Sequence, residues 1–166
     1  MMSTIFEPGP EFDLAFICTL RFTRVQTIAD NAAGITRSAA YVDEGHFEGP
    51  LLRGRAAPAS GGDYATWRPD DTACLDARYM LQADDGTLID LQSRGFIWGR
   101  SPNVMDRLRR FAFKNGPAVP VEDYYFWTLT TFETPRGKHD WLTRHVFVGL
   151  GERRADGNTI RYFRLD

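Results

Sequence analysis

Arg78, Asp63 and His145 are the side chains of this sequence best suited to chemistry on a small molecule. An arginine within a strand, as in Asp76-Ala77-Arg78-Tyr79-Met80, can hold a carboxylate or carbonyl oxygen through its fork of N–H donors. Alternation places Arg78 with Asp76, Met80 and Gln82, opposite Leu75, Ala77, Tyr79 and Leu81. Were the first face inward, the guanidinium would be a buried cation that an acid or a ligand oxygen must pair. Were the apolar face the core, Arg78 would be a solvated outer residue. Asp63 follows Gly61 and Gly62, where a carboxylate at a barrel rim can act as base or acceptor, or bond nearby turn amides. His145 shares a face with Trp141, Thr143 and Phe147, and an imidazole there can move protons near neutral pH, although no acid stands at a fixed spacing to orient it. The catalytic candidates are therefore Arg78, His145 and Asp63. The expected ligand contacts are Arg78, Tyr125, Trp127, Trp141 and His145, with Tyr125 and Trp127 able to wall a pocket and offer a polar atom each.

Other chemistries find little to work with. No nucleophile elbow and no glycine-rich phosphate loop is present. His46, His139 and His145 show no metal-like grouping, so neither a metal nor a cofactor is expected. Asp84 and Asp85 precede Gly86 and read as turn residues. A formal net charge of −2 gives no general reason to bind nucleic acid, and Arg107, Arg109, Arg110 and Lys114 read as a solvated helix face. Cys18 and Cys74 alone form no disulfide framework and are expected to be reduced. Met1 to Gly9 lacks a basic and then apolar leader pattern, so the expectation is a cytoplasmic protein with no membrane partner.

The elements that must position these residues are mostly strands. Aromatic content of 13% favours strands and ligand cavities, and no shift in composition divides the 166 residues, so one domain is expected over residues 1–166. Phe12 to Val25 alternates, with Phe12, Leu14, Phe16, Cys18, Leu20 and Phe22 on one face. Further strands are predicted at Ile35 to Val42, Phe47 to Ala57, Tyr64 to Arg68, Cys74 to Gln82, Leu88 to Phe96, Tyr124 to Phe132, Trp141 to Leu150 and Thr159 to Leu165. Asp43-Glu44-Gly45 reads as a turn, and Gly149-Leu150-Gly151 as a bend within a strand. From Ser101 the apolar period becomes helical, with Ser101 as cap, Pro102 at the first position, and Val104, Met105, Leu108, Phe111 and Ala112 on one side. Roughly eight to ten strands with one short helix suit an all-β, antiparallel closed β-barrel better than an open sheet with exposed edges.

Several of these runs together resemble the UPF0311 or DUF3237 family: Gly49-Pro50 to Gly54, Gly61-Gly62-Asp63, Leu75-Asp76-Ala77-Arg78-Tyr79 with Asp85-Gly86, Phe132-Glu133-Thr134, and Trp141-Leu142 with Phe147 to Gly151. The similarity spans residues 12 to 165 and implies a calycin-like barrel, while saying less about function. In the family pattern Arg stands where this chain has Trp127, Trp where it has Tyr64, and Asn where it has Thr143. If the Arg of the family pattern reads an anionic or carbonyl group, Trp127 removes that contact and substitutes stacking surface. The expected function is a barrel that binds a compact, partly apolar small molecule bearing a carbonyl or carboxylate oxygen, with the predicted helix over its entrance. The alternative is a cofactor-free isomerase, lyase or hydrolase using acid/base chemistry on a small carbonyl compound. A protein-interaction barrel and a homodimer remain open.

Overall fold

The computed structural model describes residues 9–166, and the reading of Met1 to Pro8 falls outside the described residues. The strands are β1 (Phe12–Ile28), β2 (Thr36–Glu48), β3 (Gly54–Ala56), β4 (Gly62–Trp67), β5 (Ala73–Ala83), β6 (Leu88–Gly99), β7 (Tyr124–Glu133), β8 (Phe147–Arg153) and β9 (Gly157–Leu165), with helix α1 (Val104–Lys114) between β6 and β7. Neighbours pair antiparallel from β5 through β9 and on to β1, and β1 also pairs with β2. Both β3 and β4 bridge β2 to β5: β3 against the end of β2 at His46 and Phe47, β4 against its start at Thr36 to Tyr41. Nine strands therefore fill eight positions, and the sheet closes on itself. Closure leaves the described strands without an open sheet edge.

Strand alternation decides what enters the barrel. Along β5 the inner set is Ala73, Leu75, Ala77, Tyr79, Leu81 and Ala83; along β7 it is Tyr124, Phe126, Thr128, Thr130 and Phe132. One end is packed solid by Phe16, Phe47, Phe132, Phe147 and Leu142, with Phe132 and Phe147 edge to face at 4.9 Å. At the opposite end Val104, Met105 and Leu108 of α1 pack with Ile97, Val119, Tyr124 and Phe126. That end is not filled, and the cavity described below opens there.

Four local expectations change. Trp141 to Leu150 is not one strand: Asp140–Arg144 is a 310 helix and β8 begins at Phe147. Local bonds hold that helix, with Thr143 Oγ1 donating to the Asp140 carbonyl at 2.8 Å and His145 Nδ1 to the Trp141 carbonyl at 2.7 Å. β2 runs through Asp43-Glu44-Gly45 with a register shift instead of turning, and Gly45 is needed because a Cβ there would lie 2.9 Å from Thr19 O. The expected strand Phe47 to Ala57 shrinks to β3, since Gly49-Pro50 leaves the ladder and Leu52 is buried instead. Helix α1 begins later than Ser101 and Pro102 suggest, with Asn103 at its cap in the left-handed region.

Candidate functional site

A cavity of about 550 Å3 occupies the α1 end of the barrel. Its walls are largely apolar, from Val25, Ala40, Ala65, Trp67, Leu75 and Ile97, and Met105 and Leu108 cover it from α1. Arg109 fastens the helix across the mouth: its guanidinium donates to both Asp71 carboxylate oxygens at 2.7 and 3.3 Å, to Asp106 at 3.0 Å, and lies 5.5 Å over the Trp67 ring. Two groups of opposite charge, Asp63 and Arg153, line the same cavity.

Asp63 sits inside β4 on the inward face with Ala65 and Trp67. The β4–β5 ladder pairs Asp63 with Ala77 and Thr66 with Cys74, and in the interval the Asp76 N–H donates to Asp63 Oδ1 at 3.0 Å. Burial pushes the carboxyl up to about 6, against the opposing pull of that N–H and of the Arg153 charge. Arg153 ends β8, in phase with Phe147, Gly149 and Gly151. Burial depresses its pKa while Asp63 and Tyr124 act the other way. Its Nη1 donates to Asn158 Oδ1 at 2.9 Å, its backbone N–H to the Tyr124 hydroxyl at 2.9 Å, and its guanidinium lies 6.0 Å from the Phe22 ring centre.

Below Asp63 the interior stays polar. A second pocket of about 20 Å3 is lined by Asp63, Tyr79, Ser93, Thr128, Asn158 and Tyr162 among apolar neighbours. Ser93 and Thr130 hydroxyls are 2.7 Å apart. Gly149 and Gly151 make this interior possible, since a Cβ on the first would lie 2.4 Å from Thr128 Oγ1 and on the second 2.5 Å from the Phe126 ring. Room for inward neighbours, not a bend, is what these glycines provide.

Of the sequence candidates, the structure brings Asp63 into the cavity and leaves the others elsewhere. Arg78 is on the outer face, its side chain 63% exposed and paired with Asp90 at 3.2 Å, because Ala77 and Tyr79 on either side of it take the inward positions. Tyr125 and Trp127 also point outward, where Tyr125 stacks on Trp98 at 5.2 Å; Tyr124 and Phe126 are the inward pair. Trp141 packs on the aromatic end, 5.9 Å from Phe147, and His145 beside it lies 3.7 Å from Asp166. Neither lines the Asp63 cavity. Arg153, Tyr79 and Tyr162 were not singled out by sequence reasoning, although Arg153 was findable as the residue continuing the Phe147, Gly149, Gly151 alternation.

Comparisons with known proteins agree with this architecture. The family model described as a protein of unknown function (DUF3237) matches residues 10–165. A UPF0311 protein of Bradyrhizobium diazoefficiens is 29% identical over 149 residues, covering 90% of this chain and 92% of its own. A crystal structure of a β-barrel-like protein from Acinetobacter baumannii superposes with a TM-score of 0.80 at 26% identity, covering 96% of this chain and 98% of that one. The structure of an enzyme from Penicillium herquei is similar in fold alone, with a TM-score of 0.68 at 18% identity and 95% of each chain covered.

Proposed function

Because this chain belongs to the DUF3237 family, whose function is unknown, we propose its role from its cavity: the barrel binds a compact, partly apolar small molecule bearing a carbonyl or carboxylate oxygen. The observation that carries this reading is the pairing of apolar walls with the half-buried carboxyl of Asp63 and the half-buried guanidinium of Arg153 in a single cavity of about 550 Å3. That volume lies within the range of small-molecule sites, and convergent polar groups in an apolar cleft are what fixes a ligand's orientation. Arg153 takes the place first expected of Arg78, receiving the ligand oxygen through its N–H donors. Asp63 accepts from a hydroxyl or acidic C–H, and Trp67 and Leu75 supply contact surface.

One observation favours turnover as a second reading. A carboxyl at about 6 is ionised at neutral pH yet basic enough to take a proton, the condition sought in a general base. A guanidinium in the same cavity can stabilise the negative charge that develops on a carbonyl oxygen. The reaction class is then cofactor-free isomerisation, elimination or hydrolysis of a carbonyl compound. The likeness to an enzyme of Penicillium herquei is compatible with this reading without specifying a reaction.

Native mass spectrometry of the purified protein, followed by titration of aromatic and terpenoid carbonyl compounds against Trp fluorescence, tests binding. Ligands should change the emission, and Trp67→Phe should abolish most of that change. A response left intact by Trp67→Phe would place the ligand elsewhere and end the cavity reading. Asp63→Asn then separates the two readings: with catalysis, turnover falls by about 100-fold or more while binding persists.

A further inference from the structure

The small pocket beneath Asp63 holds two of the most deeply buried side chains of the barrel, Tyr79 at 2% and Tyr162 at 0% exposure. Neither phenol oxygen makes a hydrogen bond of good geometry among the described residues, although the two hydroxyls interact with each other and that of Tyr162 with Ser93. A buried hydroxyl is ordinarily paired, and one that is not calls for a specific explanation, all the more when two share a pocket. They come from well-separated strands: Tyr79 from β5, opposite Leu91, and Tyr162 from β9, opposite Gly149. Gly149 bears on this arrangement, because a Cβ there would touch the Tyr162 ring at 3.4 Å and crowd Thr128. Burial, before any other cause, raises both phenols well above their ordinary value, so each remains an O–H donor at neutral pH. A pocket of about 20 Å3 suits a single oxygen atom. Asp63, Phe22 and Leu75 line both this pocket and the large cavity, which makes Asp63 part of the partition between them.

We propose that Tyr79 and Tyr162 form an oxygen-binding subsite that receives the carbonyl or enolate oxygen of the ligand held in the large cavity, with Asp63 beside it as proton acceptor. The proposal rests on the acid/base reading above and specifies the substrate class: a compact carbonyl compound with a removable proton next to the carbonyl. In the step itself the Asp63 carboxylate takes that proton, the C–H pair becomes the new C=C bond, and the carbonyl π pair moves onto the oxygen. Two donors aimed at this oxygen stabilise the charge where it develops. Where the compound is also β,γ-unsaturated the enolate is a dienolate: Asp63 returns the proton to the γ-carbon, the double bond moves to the α,β position and the oxygen pair re-forms the carbonyl, which completes an isomerisation with no electron or atom supplied from outside. Tyr79 and Tyr162 touch the reacting oxygen in this scheme, and Arg153 engages a second polar group of the ligand.

Enolate mimicry provides the test. The probes are 2-naphthol, a compact ring system with one acidic oxygen, and naphthalene, which lacks it, with binding measured by calorimetry on the full chain. Wild type should bind 2-naphthol more tightly than naphthalene. Tyr79→Phe and Tyr162→Phe should each weaken 2-naphthol by about tenfold and change naphthalene by less than about twofold. Each substitution removes no more than the weak contact between the two hydroxyls or with Ser93, so the melting temperature should change little. Should wild type take up neither probe, the cavity reading falls and the subsite with it. Should it take up both while the two Phe variants bind 2-naphthol as wild type does, only the subsite is overturned. Unfolding of both Phe variants would also overturn it, by making the hydroxyls structural.

Discussion

Asp63 and Arg153 are opposite charges drawn inside a barrel whose other inner residues are mostly hydrocarbon, and each carries the desolvation cost of that position. For Asp63 the folded value of about 6 stands above the ordinary carboxyl value of 3.8, so the folded state binds the proton more tightly than the unfolded chain. Stability from this group is therefore greatest at low pH and declines as pH rises through 3.8 to about 6. Between pH of about 4.5 and about 7.5, wild type should lose about 2 kcal/mol relative to Asp63→Asn in urea unfolding. A constant difference between the two proteins over that range would contradict the raised value. Arg153→Met should remove one of the two influences that hold Asp63 down, moving its midpoint upward from about 6 in a carboxyl NMR titration. None of this was visible from composition, since Arg153 and Asp63 are far apart in sequence and meet only across the closed barrel.

Elements carry the next set of consequences. β8 can lie over an interior of rings and hydroxyls only because two of its inward positions, Gly149 and Gly151, are glycines. Gly151→Val would drive methyl groups into the Phe126 ring, and overpacking of this kind costs about 1–3 kcal/mol, seen as a lower urea midpoint. Helix α1 covers the cavity through an apolar side and one ionic fastening. Arg109→Ala removes its bonds to Asp71 and its position over Trp67, contacts that are half exposed and worth up to about 1 kcal/mol together. Amide exchange in α1 should then quicken by roughly fivefold, with little change in the β6–β7 ladder at the barrel wall. The existence of this helix was readable from Val104, Met105 and Leu108, because an apolar period of 3.6 is local. Its start was not, because Asn103 takes the cap without a side-chain bond.

At the level of the whole molecule, one aromatic plug and one cavity divide the barrel, and a cavity is a place where packing has been left incomplete. Ala65→Trp, on the inward face beside Asp63, should fill it, abolishing ligand uptake while the strand content seen by circular dichroism stays unchanged. Retained binding in that folded variant would move the site elsewhere. The all-β character, the antiparallel closed barrel, the single helix and the family were all legible in the chain itself, because alternation, turn residues and motif spacing are properties of neighbouring residues. Alternation also defined two faces for each strand but could not by itself say which turned inward. In β5 the apolar set of Leu75, Ala77, Tyr79 and Leu81 went in and carried Arg78 out; in β7, with aromatics on both faces, Phe126 and Thr128 went in because the glycines of β8 leave room for them. That choice depends on what every other strand presents to the same interior. Only closure of the sheet brings Asp63 and Arg153 into one cavity and sets Tyr79 beside Tyr162, so the chemistry of this barrel was decided by tertiary packing.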